Sequence, residues 1–305
     1  MSNADSCIDL YDLHLHTYWS YDATTHPENY FKRARELGVR CFAVADHHVL
    51  DSLEEVLEIA QDYPDVRMIP SAELSVTTSL GAVDLLCYGF SREPSQELQN
   101  LLDKYHAWQR AAGAARSKGL QALGHEFTDQ DRLDLLKSYR PSKAIELQGN
   151  THVKNAVLRE YFVERGFISS EKDYPELMNR ARKAVGFPPY PDAADVVPVV
   201  KQAGALVVIA HPYGYFGGHD TARMDALREE CHLDGIECIN KGLIPPEYTR
   251  LYRDYCIQHD LLSTAGSDCH SDEDIPDIFA HHKGFPHCNG SAEWLDELLD
   301  RLDNR

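Results

Sequence analysis

Apolar and polar positions alternate along the first ninety residues in a way that predicts short strands separated by amphipathic helices. Residues 7–15 read as a strand, 27–37 as a helix and 40–45 as a second strand. A helix over 53–62, a strand over 67–70 and a strand over 83–88 follow. Repeated β-α-β units with short connections predict a parallel sheet with helices outside. The pattern returns late, with helices expected at 193–203, 246–259 and 292–302 and strands at 206–210, 235–239 and 262–265.

Between residues 93 and 192 the texture changes. Helical periodicity dominates over 96–123, 129–136 and 154–165, and the segment closes on the proline-rich Gly186-Phe-Pro-Pro-Tyr-Pro191. This predicts an α/β, barrel-like domain built from residues 1–92 and 193–305, with residues 93–192 as a helical insertion covering one mouth. A chain of 305 residues is long enough for such a barrel with an insertion.

The 30 Lys and Arg against 49 Asp and Glu leave a formal charge of −19. That balance excludes an extended nucleic-acid-binding surface, because neutralising phosphates needs surplus cations. It does not exclude a phosphorylated small molecule, since bound cations can invert the field inside a pocket. No apolar run approaches the roughly 18 residues a membrane span requires. No basic segment followed by an apolar one opens the chain, so no secretory signal is expected. The eight cysteines are scattered without a CxxC pair, which predicts reduced, buried thiols and a cytoplasmic location. Sixteen histidines exceed what packing or solubility asks for, and imidazole is the commonest neutral metal ligand.

The histidines and acids fall at strand ends. Asp12-Leu-His14-Leu-His16 closes the first strand, and alternation puts His14 and His16 on one face, where two imidazoles can share a metal. Asp22 follows on the next loop. The second strand stops in Asp46-His47-His48, and Glu73 lies just past Met68-Ile69-Pro70. Asp84 falls within Val83-Asp84-Leu85-Leu86, Val207-Val208-Ile209-Ala210 ends in His211, and Asp268 and His270 follow the strand at 262–265. Five strands thus end in His, Asp or Glu at the edge where parallel α/β barrels carry their active sites. Mixed nitrogen and oxygen donors without thiolate suit Mn, Zn or Fe. Asp46, beside His47, reads as an orienting partner rather than a ligand. His281, His282 and His287 read as surface loop residues.

The series HLH, DHH, the Glu of SAEL, AHP and GSDCH resembles the polymerase-and-histidinol-phosphatase (PHP) superfamily of metal-dependent phosphoesterases. The motifs arrive in that superfamily's order over about residues 8–90 and 193–275. Asn150-Thr151-His152 and the phrase His259-Asp-Leu-Leu-Ser-Thr-Ala-Gly-Ser-Asp268 resemble in particular the bacterial members that carry a helical insertion and remove phosphate from nucleotides. The resemblance implies a distorted (β/α)7 barrel with two or three divalent metal ions at one mouth. It implies that His14, His16, Asp268 and a bridging Glu73 hold one ion, that Asp22, His47 and His270 hold another, and that Glu73, His211 and Asp84 hold a third. Asp84 departs from the pattern, because the nucleotide-cleaving relatives usually carry His there. Arg110, on the first inserted helix with Lys104, His106 and Trp108, roughly aligns with an Arg that contacts substrate phosphate. His152 and His48 are the other candidate substrate contacts, while the Arg that precedes Thr-His in those relatives is Asn150 here.

The expected function is hydrolysis of a small, nucleotide-like phosphomonoester by a metal-bound hydroxide. Clustered cations neutralise the phosphoryl oxygens, lower the pKa of a bound water towards about 7 and stabilise the leaving oxygen, so no separate general base is needed. The alternatives are C–N hydrolysis in the amidohydrolase manner, which often adds a bridging carbamylated Lys not found at a strand end here, and a non-catalytic metal-binding module.

Overall fold

The computed structural model describes residues 11–240, 244–273 and 291–305. Seven strands form one sheet in sequence order: β1 (Tyr11–Leu15), β2 (Cys41–Val44), β3 (Arg67–Thr78), β4 (Gly81–Tyr88), β5 (Leu206–Ile209), β6 (Gly235–Asn240) and β7 (Leu262–Gly266). The ends meet where Leu15 bridges Cys269 in parallel and His16 N donates to Cys269 O at 2.9 Å, which nearly closes the sheet into a barrel. The helices α1 (Pro27–Leu37), α2 (Leu53–Ala60), α8 (Ala193–Gln202), α9 (Pro212–Phe216), α10 (Thr221–Glu230), α11 (Pro246–His259) and α12 (Ser291–Asp303) connect or follow the strands. Between β4 and α8 the chain runs through α3 (Gln96–Ala122), α4 (Asp129–Tyr139), α5 (Ser142–Gln148), α6 (Asn155–Glu164) and α7 (Tyr174–Val185). No helix among the described residues is long and apolar enough to cross a membrane.

Two strand expectations are corrected. The sheet is not parallel throughout, because β4 runs antiparallel to both β3 and β5. Only Ser79 and Leu80 separate β3 from β4, and two residues can make a hairpin but not a crossover. Strand β3 also continues eight residues beyond Pro70, so Glu73 lies inside a strand rather than after one. Proline interrupts a sheet where its missing N–H would be needed. Pro70 sits where β3 changes neighbours, pairing with Val44 on one side while Ser71 begins the pairing with Tyr88 on the other. Beyond it, buried Ala72, Leu74 and Val76 join the main core, and alternation assigns Glu73 and Ser75 to the opposite face.

The main core contains the wholly buried run Leu206, Val207, Val208 and Ile209, with Leu85, Ile236 and Leu295. A separate cluster of Leu120, Phe127, Leu136, Leu158, Phe162 and Leu177 belongs to the helices between β4 and α8. That helical segment clasps the loop after β1. Arg140 Nη2 donates to Trp19 O (3.0 Å), Gln148 Nε2 to the same oxygen (2.9 Å) and Tyr139 Oη to Tyr21 O (2.6 Å). A buried guanidinium needs its donors satisfied, and Arg140 finds backbone carbonyls and the Gln148 amide rather than a carboxylate. The six described cysteines are buried and none is in a disulfide, while Cys7 and Cys288 lie outside the described residues.

Candidate metal centre

Glu73 is the hub of the candidate centre. It is fully buried on β3, and its Oε2 lies 3.1 Å from His14 Nε2, 3.3 Å from His16 Nε2 and 3.2 Å from His47 Nδ1. Its Oε1 lies 3.1 Å from His211 Nε2. Asp268 Oδ1 lies 3.1 Å from His16 Nε2 and 3.4 Å from His14 Nε2, and Asp22 Oδ2 faces His47 Nε2 at 3.5 Å and His270 Nε2 at 3.6 Å. Three sets of donors each lie within 4.8 Å of one another and could each hold an ion: His14, His16, Glu73 and Asp268; His16, His47 and His270; and Glu73, Asp84 and His211. All nine candidate ligands therefore meet in one volume, delivered by six strands or the loops after them.

Backbone conformation aims several of these groups. His48 (φ 64°), His211 (φ 29°) and Asp268 (φ 56°) adopt positive φ without being glycine, a strain of about 1–3 kcal/mol each that persists where the surroundings over-determine it. Each follows a strand, where the turn redirects the chain at the barrel mouth.

The charges sustain one another. Burial alone would raise the Glu73 carboxyl, but His14 and His47 override it and hold the group well below its usual range. Asp268 is likewise held low against burial by His14, His16 and His270. Burial would lower His14, yet Glu73, Glu237 and Asp268 raise it well above 6.5. His211 follows the same pattern: burial opposes its charge, and Glu73, then Glu237 and Asp268, bring it to about 9. A proton on His211 thus stabilises the metal-free fold fully below pH 6.5, and that contribution, at most about 3 kcal/mol, is lost as pH rises through about 9. A cation needs the imidazole unprotonated. The difference in Tm between manganese-loaded and chelated protein is accordingly expected to widen from pH 6.5 to 9, and a constant difference in differential scanning calorimetry would contradict the coupling.

The donor set fits divalent cations. His47 Nδ1 is buried near Glu73 without hydrogen-bond geometry to any partner, as expected of a nitrogen facing a shared point. His14 Nδ1 lies 2.9 Å from Glu237 Oε1, His270 Nδ1 2.8 Å from Asp268 O and His16 Nδ1 3.4 Å from Ser20 Oγ. Anchoring the far nitrogen this way leaves the Nε2 lone pair for the centre. Glu237 is not among the residues the sequence singles out, although an acid inside the apolar run Gly235-Ile-Glu-Cys-Ile239 is a signal. Its Oε2 also accepts from His211 N (2.7 Å) and Asn240 Nδ2 (3.1 Å), so one carboxylate sets two candidate ligands.

Asp84, although one of the nine candidate ligands, and the other expected site residues have further partners of their own. Asp46 accepts from Thr17 N (2.6 Å) and Thr17 Oγ1 (2.8 Å), so it secures the residue after His16 rather than the His47 ring beside it. Asp84 accepts from the Ser75 hydroxyl and from Tyr215 Oη (2.8 Å), and His48 Nε2 lies 2.9 Å from Ser75 Oγ. Burial pushes His48 down to about 3, which keeps it neutral. His152 is buried with its ring centroid 3.8 Å from that of Tyr21, which is itself 5.5 Å from His47. Arg110 is exposed and donates to Gln148 O at 3.1 Å. Asn150 accepts from Arg132 Nε at 2.9 Å. His281, His282 and His287 lie outside the described residues.

A nearly closed seven-stranded α/β barrel with imidazoles and carboxylates gathered at one mouth defines the class of fold, and comparison with known proteins agrees. The PHP domain family model matches residues 12–186. The chain belongs to the PHP domain family. Two solved structures share the fold. One, described as a metal-dependent phosphoesterase from Bifidobacterium adolescentis, is 24% identical with TM-score 0.67, over 97% of this chain and 98% of that one. The other, an amidohydrolase from Chromobacterium violaceum with bound sulfate and no metal, is 19% identical with TM-score 0.70, over 94% and 96%. Comparison with curated proteins gives no match.

Proposed function

We propose that this protein is a metal-dependent phosphoesterase that releases phosphate from a small phosphomonoester, with nucleotide-like substrates foremost. The observation that carries the reading is the single buried carboxylate, Glu73, surrounded by four imidazoles and flanked by Asp268, Asp22 and Asp84. His14, His16, Asp268 and Glu73 would hold one ion, Asp22, His47 and His270 a second, and Glu73, His211 and Asp84 a third. Bound divalent cations such as Mn, Zn or Fe would neutralise phosphoryl oxygens and acidify water in a protein whose own charge repels phosphate. The chain's part is positional. Glu237 and the Asp268 carbonyl orient His14 and His270, Asp46 secures the segment after His16, and residues 93–192, read as an inserted subdomain, cover the mouth. The names of the two structural relatives agree with a hydrolytic centre, and buried cysteines outside any disulfide suit a cytoplasmic setting.

The test is phosphate release from a panel of phosphomonoesters by protein loaded with Mn, Zn or Fe(II), beside a panel of amides and metal analysis of protein purified without chelator. Turnover of phosphomonoesters that is lost on chelation supports the reading. Background phosphate release with turnover of amides would replace it with C–N hydrolysis, and a metal content near zero would favour a non-catalytic module.

A further inference from the structure

Half of the cations of this acidic chain lie in one segment. Residues 93–192 carry 15 of the 30 Lys and Arg and 14 of the 49 Asp and Glu, so their net charge is 15 − 14 = +1 while the remainder carries 15 − 35 = −20. One helix face of that segment runs away from the metal centre. Tyr105 Oη donates to Ser75 O at 2.9 Å, two residues from Glu73, and Gln109, Gly113 and Arg116 follow on the same face of α3 at helical spacing.

Three polar side chains on or beside this face carry buried atoms without hydrogen-bond partners. Gln109 is wholly buried, and neither its Oε1 nor its Nε2 has a hydrogen bond. His152 is 2% exposed with Nδ1 unpartnered, and Arg116 Nη1 is buried without an acceptor. They are neighbours. The His152 ring interacts with the Gln109 backbone and with the Arg116 charge, and the hydrogen of Gly113 faces Thr151 O and His152 N, which a Cβ would approach to 2.6 and 2.9 Å. Native proteins pair almost all buried polar groups, and an unsatisfied one costs about 1–3 kcal/mol, so several together call for a ligand. Aromatic rings frame the place. Tyr21 lies 3.8 Å from His152 and Trp108 5.6 Å, between centroids, with Tyr190 4.5 Å from Trp108. Burial and the nearby Arg116 keep His152 neutral, so Arg116 is the local cation. Through Tyr21 the place borders His47, one ring from the metal centre.

We propose that Gln109, His152 and Arg116 form a second subsite that binds an anionic group on the part of the substrate that is not transferred, with Arg116 as the determinant of specificity. Guanidinium offers a fork of donors to a carboxylate or a phosphoryl group, and the Gln109 amide supplies a further donor to the same anion. The inference rests on the phosphoesterase reading only in placing the transferred group at the metal centre.

Three non-hydrolysable probes test it by titration calorimetry on the manganese-loaded protein: butylphosphonate, 4-phosphonobutyrate and butane-1,4-bisphosphonate. They share a chain length and differ in the far end, so the last two separate a carboxylate from a phosphoryl preference. At least one of the doubly anionic probes is expected to bind tenfold or more tightly than butylphosphonate. Arg116→Gln is expected to erase that advantage and Arg116→Lys to keep part of it, while Arg180→Gln, which removes an exposed cation of α7, leaves it intact. Equal binding of all three probes by the wild-type protein, which needs no variant to fold, would overturn the proposal, as would an advantage that survives Arg116→Gln. A preference without hydrolysis of any phosphomonoester would remove the phosphoesterase reading and leave the subsite. Hydrolysis without a preference would remove the subsite alone.

Discussion

Glu73→Gln is expected to strip the protein of bound metal and lower kcat/KM for a phosphomonoester by on the order of 10³-fold or more. The substitution preserves volume and removes one charge, but that charge faces His14, His16, His47 and His211 at once. A neutral amide would turn its NH2 group towards some of those nitrogens and compete with any cation. Two of the three candidate ion sites include Glu73, so the loss should be at least one ion per chain by mass spectrometry. Its effect on the fold is expected to be smaller, because the barrel core does not depend on this carboxylate, and a single cooperative thermal transition would show that. Wild-type metal content with wild-type turnover would contradict Glu73 as the hub.

Gly266→Ala tests the same centre from behind. Gly266 ends β7, and a Cβ there would stand 2.3 Å from His14 Cβ and 2.8 Å from His14 N, with Glu237 Oε1 at 3.1 Å. Since backbone is among the obstructing atoms, β1 and β7 must part at the seam that closes the barrel. Overpacking of this kind costs about 1–3 kcal/mol and sometimes more, which corresponds to a fall in Tm of roughly 2–5 °C for a chain of this size. The displaced residue is His14, so metal content and activity should fall with stability. A Tm within about 1 °C of wild type and full metal content would show that the seam has room.

Much of this was legible before any fold was known. Imidazoles that end or follow apolar runs at His14, His16, His47, His211 and His270 point to one mouth, because a lone strand-end His is commonly structural whereas five such endings with carboxylates beside them are not. The sequence singles out Glu73 but misplaces it after a strand, since Pro70 looks like a strand end. The alternation Ser71, Ala72, Glu73, Leu74, Ser75, Val76 carried the continuation, and a proline placed where a strand changes neighbours does not stop it. The reversal of β4 was hidden because its apolar pattern is the same in either direction, and only the two-residue connection betrays it. Glu237 was legible as an acid in an apolar strand, whereas Gln109 and Arg116 look like any polar residues of a long helix.

What the sequence determined by itself was the kind of chemistry: strand and helix periodicities, donor types and their order follow from local pattern, which needs no partner to be read. Which carboxylate stands among four imidazoles, which nitrogen of His14 is anchored by Glu237, and which guanidinium nitrogen is buried without an acceptor were decided only by the tertiary structure. Those properties belong to distances between residues far apart in the chain, such as the 223 positions between His14 and Glu237, and barrel closure sets them rather than any local preference.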